Sequence, residues 1–198
     1  MSLEVPYTTE ARPDTGVTTP KLGIWLFLAS EVMLFASLFS AYALLRSGAE
    51  AWPDQSAIVS VTLGAINTGL LLASSMAIGL AWNAIRAQRV ERYRAWMAAC
   101  ILLGAAFLGV KAFEWADKLQ AGLVPSMHNF LGLYFTMTGL HAAHLAAGLA
   151  INVYLWGPGL VLWRRDAARF SQRVEIARLY WNFVDVVWIL LFVVFYLL

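Results

Sequence analysis

The residues able to do chemistry in this chain are a few polar side chains embedded in long apolar stretches: Glu31, His141, His144, Asn182 and Asp185. A charged side chain at mid-bilayer costs about 2.5–3.5 kcal/mol on insertion scales, so it must be paired, protonated, or turned toward protein or water. The i, i+3 spacing of His141 and His144, and of Asn182 and Asp185, places each pair on one helix face. Two histidines and two carboxylates make a conceivable metal ligand set. The plainer reading is an interhelical hydrogen-bond network, which fixes packing where hydrophobicity cannot drive helix association. The histidines lack the repeated Glu-x-x-His pattern of bundle-type di-iron sites. Glu31 invites a third chemistry, proton exchange, because burial moves a carboxyl group toward the range in which it trades protons.

A second polar group, Lys111 and Glu114, has the spacing of an intrahelical ion pair. Its place near a span end allows both side chains to snorkel to the interface. Ser30, Ser37 and Ser40 have no surrounding motif that would pair one of them with His141 or His144 as a hydrolase nucleophile. Cys100, the single cysteine, cannot close an intrachain disulfide or supply a binuclear copper centre, and reads as a small apolar filler.

These groups need a scaffold that can hold them in oil. The 198 residues are 61% hydrophobic and 13% charged, with mean hydropathy +0.67, which is more apolar surface than a soluble domain of this size buries. Stretches of roughly 20 charge-poor residues, the length that crosses a bilayer core, fall at Leu22–Leu45, Ala57–Asn83, Ala95–Glu114, Phe130–Trp156 and Ile176–Leu197. The fold expected is all-α, a polytopic transmembrane bundle of five helices over residues 22–198. Alternating direction puts Glu31, His141, His144 and Asp185 at similar depth, so the first, fourth and fifth helices are expected to share a polar layer. Small residues in the second and fourth spans allow close helix approach.

Residues 1–21, with Pro6, Pro13 and Pro20 among threonines and mixed charges, read as a disordered cytoplasmic tail and not as a cleaved secretory signal. Arg86, Arg89, Arg92 and Arg94 follow the second span, and Arg164, Arg165, Arg169 and Arg173 follow the fourth. The positive-inside rule puts both connections in the cytoplasm, with the N-terminus inside and the C-terminus outside. A net charge of +2 with scattered basic residues does not suit a nucleic-acid surface. Five spans do not divide into the paired halves of an inverted-repeat transporter, although a stand-alone proton-coupled transporter using Glu31 and Asp185 is the competing class of function.

Four segments, one per span, carry a family resemblance. They are Trp25 with Ser30-Glu31-Val32-Met33-Leu34-Phe35, and Lys111-Ala112-Phe113-Glu114-Trp115. They continue with Gly139-Leu140-His141-Ala142-Ala143-His144 before Gly148-Leu149, and Tyr180-Trp181-Asn182-Phe183-Val184-Asp185-Val186-Val187-Trp188. In this order they resemble the five-helix bacterial form of subunit III of haem–copper respiratory oxidases, exemplified by cytochrome c oxidase subunit III. Asn182 stands where the family usually has histidine, so it keeps hydrogen-bonding capacity but cannot titrate.

The resemblance implies a noncatalytic, multi-pass subunit of the bacterial plasma (inner) membrane. It implies haems and copper on partner subunits, none on this chain, and bound phospholipid. Oxidase subunits I and II are the implied partners, with a small subunit IV as an optional further one. The implied role is to stabilise subunit I and support proton uptake in an aa3-type cytochrome c oxidase; the equivalent subunit of a quinol oxidase and a nitric oxide reductase accessory protein are close alternatives. By matching position, Glu31 is the candidate functional carboxylate, with His141, His144, Asp185, Glu114 and Lys111 as proton-related or lipid-adjacent partners. The histidine count agrees: His128, His141 and His144 fall short of the roughly six ligands that two haems and a copper require.

Overall fold

The computed structural model describes residue 11, residue 13, and residues 16–55 and 58–198. Most of the expected N-terminal tail, and Ala57 at the expected start of the second span, lie outside them. The described chain is helical: α1 (Thr19–Gly48), α2 (Val61–Arg86), α3 (Val90–Gln120), α4 (Asn129–Trp156), a 3₁₀ turn at Pro158–Leu160, a short α5 (Val161–Arg165) and α6 (Ala167–Phe192). A π-helical turn, Val193–Leu197, prolongs α6. Among the described residues four of these helices are long and apolar enough to cross a membrane, and α4 with the segment bent at 45° after it makes a fifth when the pair is counted as one span. The bend falls where Gly157 and Pro158 interrupt the backbone hydrogen-bond ladder.

Each span helix runs past its apolar stretch at one end or both, although α2 begins only at Val61, inside the expected second span. Thr19 to Lys21 form the first turn of α1 instead of tail, Arg92 and Arg94 lie inside α3, and Asp117 and Lys118 form its last turns. Arginine, lysine and glutamate are good helix formers, so charge ends the hydrophobic window before the helix ends. Local chemistry sets the actual boundaries. Ser60 Oγ accepts from the Leu63 N–H and Asp166 Oδ1 from the Arg169 N–H, capping α2 and α6. Gly122, at φ +77°, closes α3 with Leu123 N–H donating to Lys118 O at 3.0 Å. The same closure ends α2, but there a glutamine, Gln88, takes the left-handed conformation at φ +57°.

Helix α6 is the post around which the bundle stands; it packs against α1, α2 and α4 and is the most buried of the apolar helices. Its Trp181 explains much of this. The indole N–H donates to Ser74 Oγ on α2 at 2.9 Å, while the ring lies against Gly104 of α3 and Gly148 of α4. A Cβ at Gly104 or Gly148 would sit 2.8 or 2.9 Å from ring carbons. One aromatic side chain thus ties four helices together, and only because two facing residues lack side chains. By contrast α1 is applied to the outside of the bundle and leaves Leu26, Met33 and Leu44 exposed.

Candidate functional site

Glu31 projects from α1 onto α4, where its Oε2 lies 3.0 Å from His144 Nε2. The other ring nitrogen of His144, Nδ1, is 2.8 Å from the Leu140 carbonyl oxygen, which can only accept, so Nδ1 carries a hydrogen. Two protonation patterns satisfy the remaining contact. Either imidazolium Nε2–H donates to a carboxylate, or the protonated Glu31 carboxyl donates to a bare Nε2. Both patterns hold one proton between the two side chains, and moving it between them changes no other bond. Both groups are mostly buried, with side chains 16% and 15% exposed. Phe35 packs edge-on to the His144 ring, and Tyr180 O–H of α6 donates to the His144 carbonyl at 2.9 Å, so the pair is held from α1, α4 and α6.

His141 does not join it. Its ring lies between Phe107 of α3 and Trp188 of α6, at centroid distances of 5.7 and 5.4 Å, and neither nitrogen meets a protein partner. Asp185 also stands apart, on the side of α6 that faces α2, hydrogen-bonded to Ser75. The expected single polar layer is therefore divided around α6, and α2, which was not expected to contribute, supplies Ser75. The cause is geometric: residues three apart on a helix differ by about 60° in direction, enough to point at different neighbours in a tightly packed bundle.

Lys111 and Glu114 do form the expected ion pair, at 2.9 Å, but they do not snorkel: their side chains are 4% and 2% exposed. Lys118, which falls in a polar connection by sequence, reaches Glu114 Oε1 at 3.1 Å from one turn further along α3. Tyr134 of α4 and Tyr196 of the terminal π turn donate to the same carboxylate at 2.9 and 2.8 Å. Lys111 Nζ in turn donates to both phenol oxygens and lies 5.0 Å from the Trp188 ring centroid. Sequence reasoning missed Lys118, Tyr134, Tyr196 and Ser75. Only Lys118 carried a local signal, its i, i+4 spacing from Glu114.

Among the described residues no group of three or more histidine, cysteine, aspartate or glutamate side chains is arranged to hold a metal ion. Cys100 is buried, with Asn152 Nδ2 at 3.8 Å from its sulfur. Ser30, Ser37 and Ser40 spend their hydroxyls on carbonyls of their own helix.

A carboxyl 3.0 Å from an imidazole, and a separate lysine–glutamate–tyrosine cluster, coincide with three of the four family-like segments, those of the first, third and fourth spans. The sequence model of the family described as Cytochrome c oxidase subunit III matches residues 11–198. The chain belongs to this family of haem–copper oxidase subunits. It is 33% identical to cytochrome bo(3) ubiquinol oxidase subunit 3 of Pseudomonas aeruginosa, covering 98% of this chain and 92% of that protein. It is 35% identical to cytochrome c oxidase subunit 3 of Alkalihalophilus pseudofirmus, over 89% of this chain and 85% of the relative. Quinol oxidase subunit 3 of Bacillus subtilis is 32% identical over 89% and 86% of the two chains. Membership in the subunit III family makes this a multi-pass membrane component of a multisubunit respiratory oxidase.

Proposed function

We propose that this chain is the noncatalytic subunit III of a proton-pumping, aa3-type cytochrome c oxidase in the aerobic respiratory chain of a bacterial inner membrane. Haems and copper reside on its partners, subunits I and II, with a small subunit IV as an optional fourth component. This subunit stabilises subunit I and supports proton uptake. The observation that carries the reading is the Glu31–His144 contact at 3.0 Å, a deep pair whose geometry accommodates one proton in either of two arrangements. Its two deep histidines also suit a supporting subunit. One ring is committed to Glu31 and Leu140, and the other is wedged between two aromatic rings.

The basic residues support the proposed orientation. Lys21 of α1 pairs with Glu175 of α6 at 2.7 Å, and both line one crevice with Arg86 of α2. The arginine-rich ends of α2 and α6 thus gather at one face of the bundle, which the positive-inside rule assigns to the cytoplasm. The crevice, about 500 Å³, opens between polar side chains including Thr18, Lys21, Arg86 and Gln172. Further along α1 and α6 an apolar groove of about 620 Å³ runs past Trp25, Val32 and Phe183. A polar mouth and an apolar groove on the same two helices suit the headgroup and acyl chain of the expected phospholipid.

The electron donor has a second reading, favoured by the ubiquinol oxidase relative that matches 98% of this chain. Purification of the native complex through this polypeptide tests both. Co-purifying haem absorbance with a copper-bearing subunit II supports cytochrome c as donor, and a copper-free counterpart supports quinol. A polypeptide recovered without any haem-containing core, or one that carries out proton-coupled flux alone in vesicles, contradicts the subunit reading.

A further inference from the structure

Asp185 is held in a way that neither the ion-paired nor the imidazole-paired carboxyl shares. It is 4% exposed at the middle of α6, and its carboxyl belongs to none of the ion pairs among the described residues. The deep basic groups lie elsewhere, Lys111 and Lys118 on Glu114, the His144 ring on Glu31 and the His141 ring between Phe107 and Trp188. What Asp185 Oδ2 does contact is the Ser75 hydroxyl of α2, and that hydroxyl also lies 3.4 Å from Asn182 Oδ1, one turn back on α6.

With the Asn182 amide oxygen turned toward Ser75, counting hydrogens favours a protonated Asp185. Ser75 has one hydrogen and faces two oxygens, the Asp185 carboxyl and the Asn182 carbonyl. With an ionised Asp185 both oxygens would be pure acceptors competing for that hydrogen, and a charge would remain in a low-dielectric site without a counter-ion. With a second hydrogen on Asp185 Oδ2 the chain closes: the acid donates to Ser75 Oγ and Ser75 donates to Asn182 Oδ1. The remaining oxygen, Oδ1, has no protein partner, which suits the weakly accepting carbonyl of a neutral acid better than a carboxylate. Asparagine can complete this chain with its amide oxygen, where a neutral histidine would have to turn its one unprotonated ring nitrogen to Ser75.

We infer that Asp185, Ser75 and Asn182 form a second mid-membrane proton-binding site, in which Asp185 rests as the carboxylic acid. The site is distinct from the Glu31–His144 pair, because α6 lies between α2 on one side and α1 and α4 on the other. Its Asn182 lines the apolar groove of α1 and α6 together with Phe183 and Val186, while the Asp185 carboxyl lies behind it against α2. The inference extends proton binding to a further group and does not depend on Glu31 having any role.

Infrared spectroscopy of the purified intact complex tests it, with carbodiimide labelling of the wild type as the second measurement. The Asp185→Asn variant is expected to lose one protonated-carboxyl C=O band present in the wild type. Ser75→Ala is expected to keep that band and shift it to higher frequency, as the hydrogen bond to Ser75 is lost. Dicyclohexylcarbodiimide, lipophilic enough to enter the groove, reacts with the acid form. The carboxyl oxygen bonds to the carbodiimide carbon, the acid proton passes to nitrogen, and the adduct rearranges to a stable N-acylurea. Mass mapping is expected to find this adduct on Asp185 and none on Glu114. Loss of the band in Asp185→Asn supports the site, and should that variant fail to assemble, the Ser75→Ala shift and the adduct decide. Wild-type and variant spectra identical in the acid region overturn the inference, whatever the labelling shows. So does an unshifted band in Ser75→Ala combined with an unmodified Asp185.

Discussion

Glu114 accepts hydrogen bonds from Lys111, Lys118, Tyr134 and Tyr196, whereas Glu31 meets one side chain, His144. Both carboxyls sit in a membrane bundle, yet their surroundings favour opposite behaviour. Two ammonium groups and two phenols fix Glu114 as an anion and bind α3 to α4 and the end of α6, so any change of its charge leaves buried donors unanswered. Glu31 faces an imidazole nitrogen at 3.0 Å, a contact that a hydrogen on either side chain satisfies. Surplus donors make a clamp, and a matched titrating partner makes a place to keep a movable proton. The number and kind of donors around a buried carboxyl, and not burial itself, distinguish these two groups, and on the proposed function they separate the structural carboxyl from the functional one.

The largest effect expected from breaking this contrast is at the clamp. Glu114→Gln leaves Lys111 and Lys118 buried without an anion, a loss of about 3–5 kcal/mol for a broken buried pair. The subunit should dissociate from the complex at lower detergent concentration or temperature, measured by its retention during purification. Gly148→Val tests the frame that holds both groups. The added atoms collide with Trp181, whose ring lies 2.9 Å from an ideal Cβ, and overpacking of this kind costs about 1–3 kcal/mol. A lowered melting temperature with unchanged electron-transfer rate in the surviving complexes is the expected outcome. At the small end, Lys21→Ala removes an ion pair whose side chains are 35% and 24% exposed, and such pairs contribute about 1 kcal/mol or less. Its thermal stability should match the wild type within error. A drop as large as that of Glu114→Gln would mean that burial does not rank these pairs.

The spans were legible in the sequence, because an apolar run of bilayer length seldom forms anything except a membrane helix. Lys111–Glu114 was legible too, because a pair three apart on one helix needs no tertiary information. Where those side chains go was not. The second lysine looked like loop because Asp117, Lys118 and Gln120 together read as a polar connection, although the helix continues to Gln120. Tyr134 and Tyr196 come from other helices and give no local sign. Similar depth for Glu31, His144, His141 and Asp185 suggested one layer, and depth was the only coordinate available. The direction each side chain takes around α6 divides them, and it depends on packing contacts such as Trp181 against two glycines. The family, by contrast, was legible in four short segments taken in order, none of which requires that geometry.

The central claim, that Glu31 with His144 holds a proton used by the assembled oxidase while Glu114 only holds helices, is tested most directly by Glu31→Gln in the purified complex reconstituted into vesicles. The amide keeps the shape and can still donate to His144 Nε2, so assembly and haem content should be unchanged, while proton uptake slows and the enzyme inactivates after fewer turnovers. Proton uptake and turnover lifetime equal to the wild type would leave Glu31 a packing residue and contradict the claim.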